Sequence, residues 1–267
     1  MSAVLPSLDA APDLERRFGG LRRLYGDALY ARIRAAHIAV VGVGGVGSWA
    51  AEALARSGVA ALTLIDLDHV SESNINRQVQ ALGATLGQAK VEALRGRIAD
   101  IHPGCRVTAV EEFVEEGNWP GLLPPMPVDV VIDACDQGRA KAVLAAWALQ
   151  GRSALVIVGA AGGKREAHAV AVDDLAAVTH DPMLASLRQR LRKHHGAARA
   201  GAMGLRCVYS REAVRAPEGA GDVDSGLNCH GYGSSVAVTA TFGLVAASTA
   251  IELLQAASRR ADAPGQI

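Results

Sequence analysis

Short apolar runs alternate with amphipathic stretches along the 267 residues, and their order predicts an α/β fold. Residues 37–43, 61–67, 128–134 and 154–159 are dominated by Ile, Val, Leu and Ala, as in strands buried on both faces. Residues 105–110 read as a further strand. The intervening segments 46–56, 86–101 and 139–150 read as helices, the first ended by Ser57-Gly58. Strand, glycine turn, helix and strand in that order form a right-handed parallel βαβ unit. Through Gly163 the pattern predicts a Rossmann-like, doubly wound, mostly parallel sheet.

The flanks read differently. Residues 13–34 are charged, with Leu21, Leu24, Leu29 and Ile33 at helical spacing, and residues 1–12 are expected to be disordered. Beyond Gly163, residues 167–172 and 206–210 look like strands, with a charged helix over 182–195 between them. Residues 216–231 are glycine-rich and acidic and are expected to form a loop, and an apolar helix starts at Ser234. The expected organisation is a Rossmann-like unit over 13–163, a mixed strand-and-helix extension of the same globular unit over 164–257, and a tail over 258–267.

Half of the residues are apolar, enough for a sizeable core, but only 4% are aromatic, which suits close helix–sheet packing. Lys and Arg balance Asp and Glu at 27 each, so bulk charge draws the chain to no polyanion, and any such contact must be local. Cys105, Cys135, Cys207 and Cys229 form no C-x-x-C pair, so no zinc is expected. Four dispersed thiols and an N-terminus without a signal-like apolar core fit a reducing cytoplasm. The 234–254 run is long enough to span a bilayer, but its Ala, Ser, Thr and Gly content fits a core or interface helix; peripheral membrane contact stays open.

Gly42-Val-Gly44-Gly45-Val-Gly47 lies at a strand-to-helix turn, where bare backbone and a helix N-terminus can hold a phosphate. Asp66, 19 residues beyond Gly47, ends the next strand, where an acid commonly receives ribose hydroxyls. A nicotinamide oxidoreductase would share these features. Arg77 and Lys90 tip the reading toward ATP, because two cations just beyond the turn suit a triphosphate and its departing pyrophosphate better than a dinucleotide. Asp133-Ala-Cys-Asp136 ends another buried strand. Asp136 is the candidate ligand for Mg²⁺, whereas Asp133 either joins it or satisfies backbone N–H groups.

Together, Arg17, the Gly42–Gly47 turn, Asp66-Leu-Asp68, Asn74-x-x-Arg77-Gln78, Lys90 and Asp133-x-x-Asp136 resemble the ATP-dependent enzymes related to ubiquitin-activating enzyme, among them the molybdopterin- and thiamine-pathway adenylases. Three segments, 17–26, 44–54 and 239–243, look most like the branch that dehydrates threonylcarbamoyladenosine in tRNA, a match running from Arg17 to about Leu254. The resemblance implies that ATP adenylates the threonylcarbamoyl carboxylate at adenosine 37, and that the neighbouring carbamoyl group then displaces AMP to give a cyclic form. It adds Asp68, Asn74 and Gln78 to the ATP site, and it implies a homodimer in which Arg17 reaches the partner's site. A monovalent cation and a sulfur-transfer partner are further associations it leaves open.

Other signals carry two readings each. Cys229, beside His230, is either a loop nucleophile or an ordinary thiol, and Cys135 reads as a small core residue. The basic stretch with Arg188, Arg190, Arg192, Lys193 and Arg199 is either a solvated face or a tRNA phosphate patch. Rival functions are adenylation of a ubiquitin-like or sulfur-carrier protein, and NAD-dependent redox chemistry.

Overall fold

A computed structural model of the chain describes residues 12–151, 154–215 and 232–261. The disorder expected before Asp13, the 216–231 loop with Cys229, and the last six residues lie outside the described residues, Pro12 apart.

Asp13 caps α1 (Leu14–Phe18) by accepting from the Arg16 N–H. Next comes α2 (Gly20–Ala35), kinked at Gly26, whose φ of 77° interrupts the helix. The alternation read from the sequence then appears as β1 (His37–Val41), α3 (Gly47–Arg56), β2 (Ala61–Ile65), α4 (Lys90–Ile101), β3 (Arg106–Val110), β4 (Val130–Asp133), α5 (Gly138–Leu149) and β5 (Ala154–Val158). β6 (Val170–Asp174), α6 (Pro182–His194), β7 (Arg206–Ser210) and α7 (Val236–Ala261) follow.

The seven strands form one sheet in the order β3-β2-β1-β4-β5-β7-β6, parallel except for the antiparallel β6–β7 pair. The Rossmann-like, mostly parallel reading therefore holds. After β3 the chain returns to the other side of β1, so the sheet reverses direction between β1 and β4. Ligands of open α/β sheets bind in the crevice at such a switch point. Val41 pairs with Ile65 on one side and Asp133 on the other, which brings the ends of β1, β2 and β4 into one row.

One apolar layer, containing Ile38, Leu54, Leu94, Val130, Phe242 and Ala250, covers one face under α3, α4 and α7. A second, with Val131, Leu144, Leu184, Leu187, Cys207 and Tyr209, covers the other under α5 and α6. Val236–Ala256 of α7 passes a length-and-composition test for a span, with mean hydropathy 1.6. Its stripe of Val238, Phe242, Ala246, Ala250 and Leu254 is instead buried in the core. Gly243 allows that approach, because a Cβ there would collide with the Val46 carbonyl and the Trp49 Cβ of α3.

Most boundaries shift by one or two residues, and two element starts shift by three or more. The helix expected from residue 86 starts at Lys90, because residues 83–85 form a 3₁₀ turn and Gly87 takes a φ of 80°. The strand expected over 167–172 runs from 170 to 174, since 167–169 form another 3₁₀ turn.

Candidate active site

A cavity of about 380 Å³ occupies the switch point. Its floor is the glycine turn. Gly42 has a φ of 81°, and a Cβ on it would press on the Cys135 backbone at 2.8 Å. Gly47 is still tighter, for its Cβ would clash with the Gly42 carbonyl, so these two glycines shape the turn itself. Gly44 and Gly45 line the open side, where a phosphate can approach bare backbone. Gly47 lies behind them, starting α3.

Asp66 fastens the turn to β2. One carboxylate oxygen accepts from the Val43 N–H at 2.8 Å and the other from the Asp68 N–H at 2.9 Å. Burial raises the Asp66 pKa; Lys90 and the two backbone N–H groups pull it back only in part. The acid thus orders the loop and also lines the cleft where a ribose would lie. Gln80, a residue the sequence reading missed, braces the turn from the other side by donating to the Val43 carbonyl at 2.8 Å.

The two predicted cations are held differently. Lys90 is the first residue of α4 and is buried, and its Nζ meets the Asp68 carboxylate at 2.6 Å. A lysine at a helix N-terminus opposes the helix dipole, so this placement needs an anion nearby. Asp68 is one, and cleft phosphates would be another. The Arg77 guanidinium donates to the Ser73 carbonyl and the Asn76 side chain at the cleft wall. Its own carbonyl accepts from the Trp49 indole at 2.9 Å and the Thr239 hydroxyl at 3.4 Å, which ties the loop to α3 and α7. Only their place in the 44–54 and 239–243 segments hinted at Trp49 and Thr239. Asn74 caps its own turn by accepting from the Ser71 N–H, and Gln78 accepts from Gln80. Both line the cleft.

Asp133 and Asp136 part company. Asp133 faces inward and does not line the cleft; fully buried, it meets the Lys141 ammonium at 3.0 Å and accepts from the Cys135 thiol and N–H. Of its two readings, the place in the nucleotide site is therefore corrected to a buried ion pair under the cleft floor, because alternation along β4 turns Asp133 toward α5 and Lys141. The other reading, acceptance of a backbone N–H, agrees with the structure. Lys141 also donates to the Val158 carbonyl at 2.7 Å, joining β4, α5 and β5. Asp136, past the strand end, is exposed and lines the cavity. Among the described residues no group of three or more His, Cys, Asp or Glu side chains could hold a metal. Asp136 alone fits Mg²⁺ only in the way that ion commonly binds nucleotides, through one carboxylate, phosphates and water.

Burial pushes the Cys105 thiol up to about 11, and the Cys135 and Cys207 thiols are also raised, so none of these three is an activated nucleophile. Arg17 lies away from its own cleft and donates to the Asp100 and Ile101 carbonyls at the end of α4. The basic stretch splits. Arg188 spans the Leu175 and Val178 carbonyls and is a structural tie rather than a free phosphate ligand, and Arg192 donates to the Ala198 carbonyl. Arg190, Lys193 and Arg199 are exposed.

A model of the ThiF family matches residues 17–265. The chain belongs to the ThiF family. Similar proteins include the tRNA threonylcarbamoyladenosine dehydratase of Escherichia coli, 43% identical over an alignment of 257 positions that covers 92% of this chain and 96% of the relative. The same-named protein of Haemophilus influenzae is 39% identical over 90% of this chain and 94% of its own. A solved structure of the E. coli dehydratase in complex with ATP superposes with a TM-score of 0.84, covering 92% of this chain and 96% of that one. A more partial likeness, to the molybdopterin-synthase adenylyltransferase of E. coli, is 36% identical over 39% of this chain and 41% of the relative.

Proposed function

We propose that the chain is an ATP-dependent tRNA threonylcarbamoyladenosine dehydratase. The observation that carries this reading is likeness along nearly the whole length to an ATP-binding dehydratase. In this chain the corresponding cleft offers bare glycine backbone beside two cations. The likeness to a carrier-activating relative spans under half of the chain, and a hydride-transfer reading leaves Arg77 and Lys90 without a task.

ATP would lie with its ribose at Asp66 and its phosphates over Gly44 and Gly45. A carboxylate oxygen of the threonylcarbamoyl group attacks the α-phosphorus, the bond to the bridging oxygen breaks, and pyrophosphate leaves. Lys90 and Arg77 are placed to offset the charge that gathers on the leaving group. The acyl-adenylate is a reactive electrophile, and the carbamoyl group of the same side chain closes on it and expels AMP. Ring closure is intramolecular, so holding one conformer supplies much of the acceleration. No enzymic nucleophile is needed, consistent with the raised pKa values of Cys105, Cys135 and Cys207. Asp136 would hold Mg²⁺, which supplies charge neutralisation at the phosphates.

A homodimer belongs to this proposal through the family resemblance: Arg17 sits outside its own cleft on the Asp100 and Ile101 carbonyls, and would have to leave them to enter a partner's cleft. Mixing inactive Arg17→Ala and Lys90→Ala variants should then restore partial activity, and a mixture as inactive as its parts refutes the arrangement.

The defining experiment incubates tRNA carrying threonylcarbamoyladenosine with the protein, ATP and Mg²⁺, and analyses the nucleosides. Loss of one water from that nucleoside with equimolar AMP is expected. Unchanged tRNA, with pyrophosphate exchange arising only when a small carrier protein is added, would overturn the assignment.

A further inference from the structure

A second cavity, of about 260 Å³, opens between α5 and α6 beside the nucleotide cleft. The two cavities meet at Asp136 and Met183, which line both. Along α6, Met183, Ser186, Leu187 and Arg190 follow the i, i+3, i+4, i+7 spacing and share one face. Met183 and Leu187 are buried in that face, while Ser186 and Arg190 stand exposed at its rim. Arg139, second residue of α5, is exposed and also lines the cavity.

Three features make this groove a polyanion seat. Arg139 and Arg190 have no hydrogen-bond or ion-pair partner among the described residues, whereas nearby Arg188 and Arg192 are used up on backbone carbonyls. The α5 N-terminus, where Gln137 makes no side-chain cap, brings its first two residues, Gly138 and Arg139, to the same lining. Lys141 beneath is neutralised by Asp133, so the unpaired charges on the lining are the two guanidinium groups and the Asp136 carboxylate at the mouth shared with the nucleotide cleft, a net charge of one positive unit. Because the chain is neutral overall, RNA has to be gripped at a local basic feature of this kind.

Resting on the function proposed above, we propose that the α5–α6 groove seats phosphodiester groups flanking the modified adenosine, with Arg139 and Arg190 as the phosphate contacts. The backbone so held would let the modified side chain enter the nucleotide cleft past Asp136. Phosphate contacts of this type fix register without reading sequence. Arg139 is outside the basic stretch visible in the sequence, and α5–α6 packing alone joins it to Arg190.

The test is the double variant Arg139→Gln/Arg190→Gln, at side chains that make no bonds among the described residues. KM for threonylcarbamoyladenosine-containing tRNA should rise about tenfold or more, with kcat within about threefold and ATP affinity by titration unchanged. The slope of log binding constant against log salt should shrink by about 1.4, at roughly 0.7 per single-strand phosphate. An unchanged KM and salt slope, or a loss of ATP affinity matching the loss of tRNA affinity, would overturn the groove alone. If the wild-type protein binds ATP yet leaves modified tRNA unchanged, the function and the groove fall together.

Discussion

Lys90 and Asp68 form one ion pair with opposite surroundings, which separates activity from stability. The Lys90 side chain is 8% exposed and that of Asp68 is 56% exposed. Replacing Lys90 by Met keeps the buried stem and leaves Asp68 to be rehydrated, so the stability cost should stay under about 1 kcal/mol. Removing Asp68 instead strands a buried ammonium, which costs about 1–3 kcal/mol. Catalysis should rank the other way. In the proposed pose Lys90 would face the developing pyrophosphate, and loss of one such donor commonly lowers turnover about 10²–10³-fold, or roughly 2.7–4 kcal/mol. Lys90→Met should therefore nearly abolish AMP formation on modified tRNA while melting within a few degrees of the wild type. Asp68→Ala should melt lower and lose less activity. The assays are thermal denaturation and single-turnover AMP release. If Lys90→Met kept more than a tenth of the rate, or melted below Asp68→Ala, the clamp would be a structural pair and the reasoning would fail.

Further outcomes follow from neighbouring geometry. Gly44→Ala meets nothing nearer than Gln78 at 3.8 Å, so it should fold normally yet weaken ATP binding at least tenfold by titration, whereas Gly47→Ala collides with the Gly42 carbonyl and should yield little soluble protein. Lys141→Met uncouples a pair with no solvent exposure and should cost about 3–5 kcal/mol; at roughly 2–4 °C per kcal/mol this is a fall of some 6–20 °C in Tm, and a smaller shift would refute the pair's part in stability. Burial opposes ionisation of Asp174, but the Met203, Ala176 and Gly204 N–H groups outweigh it and lower its pKa. A depressed folded pKa gives stability that is present above the unfolded value, about 3.9, and lost as pH falls through the folded one. Melts from pH 7 to pH 3 should thus show a shallower acid decline for Asp174→Asn, and an identical decline would refute that role.

Much of the frame could be read in advance. Runs such as 37–43 and 154–159 can be little else than buried strands, and a G-x-G-x-x-G turn between strand and helix announces a phosphate site. The family resemblance rested on spaced motifs, and the family itself is shown over residues 17–265. Boundaries failed where a local turn decided them: a 3₁₀ turn and Gly87 delayed α4 to Lys90, and a second 3₁₀ turn over 167–169 delayed β6.

Residue order alone determined the strand sequence, the glycine turn and the set of charged groups near it, because periodicity and turn chemistry act over a few residues. Tertiary structure decided which charges are available. Asp133 and Asp136 lie three residues apart, yet one is spent on Lys141 and the other faces the cleft. Arg188 and Arg190 share a helix, yet one is bound to backbone carbonyls and the other opens on a groove with Arg139. The Arg77 loop is anchored by Thr239, 162 residues away. Such partners meet only when β4, α5, α6 and α7 pack together, and burial then sets which side chain keeps its charge for a ligand.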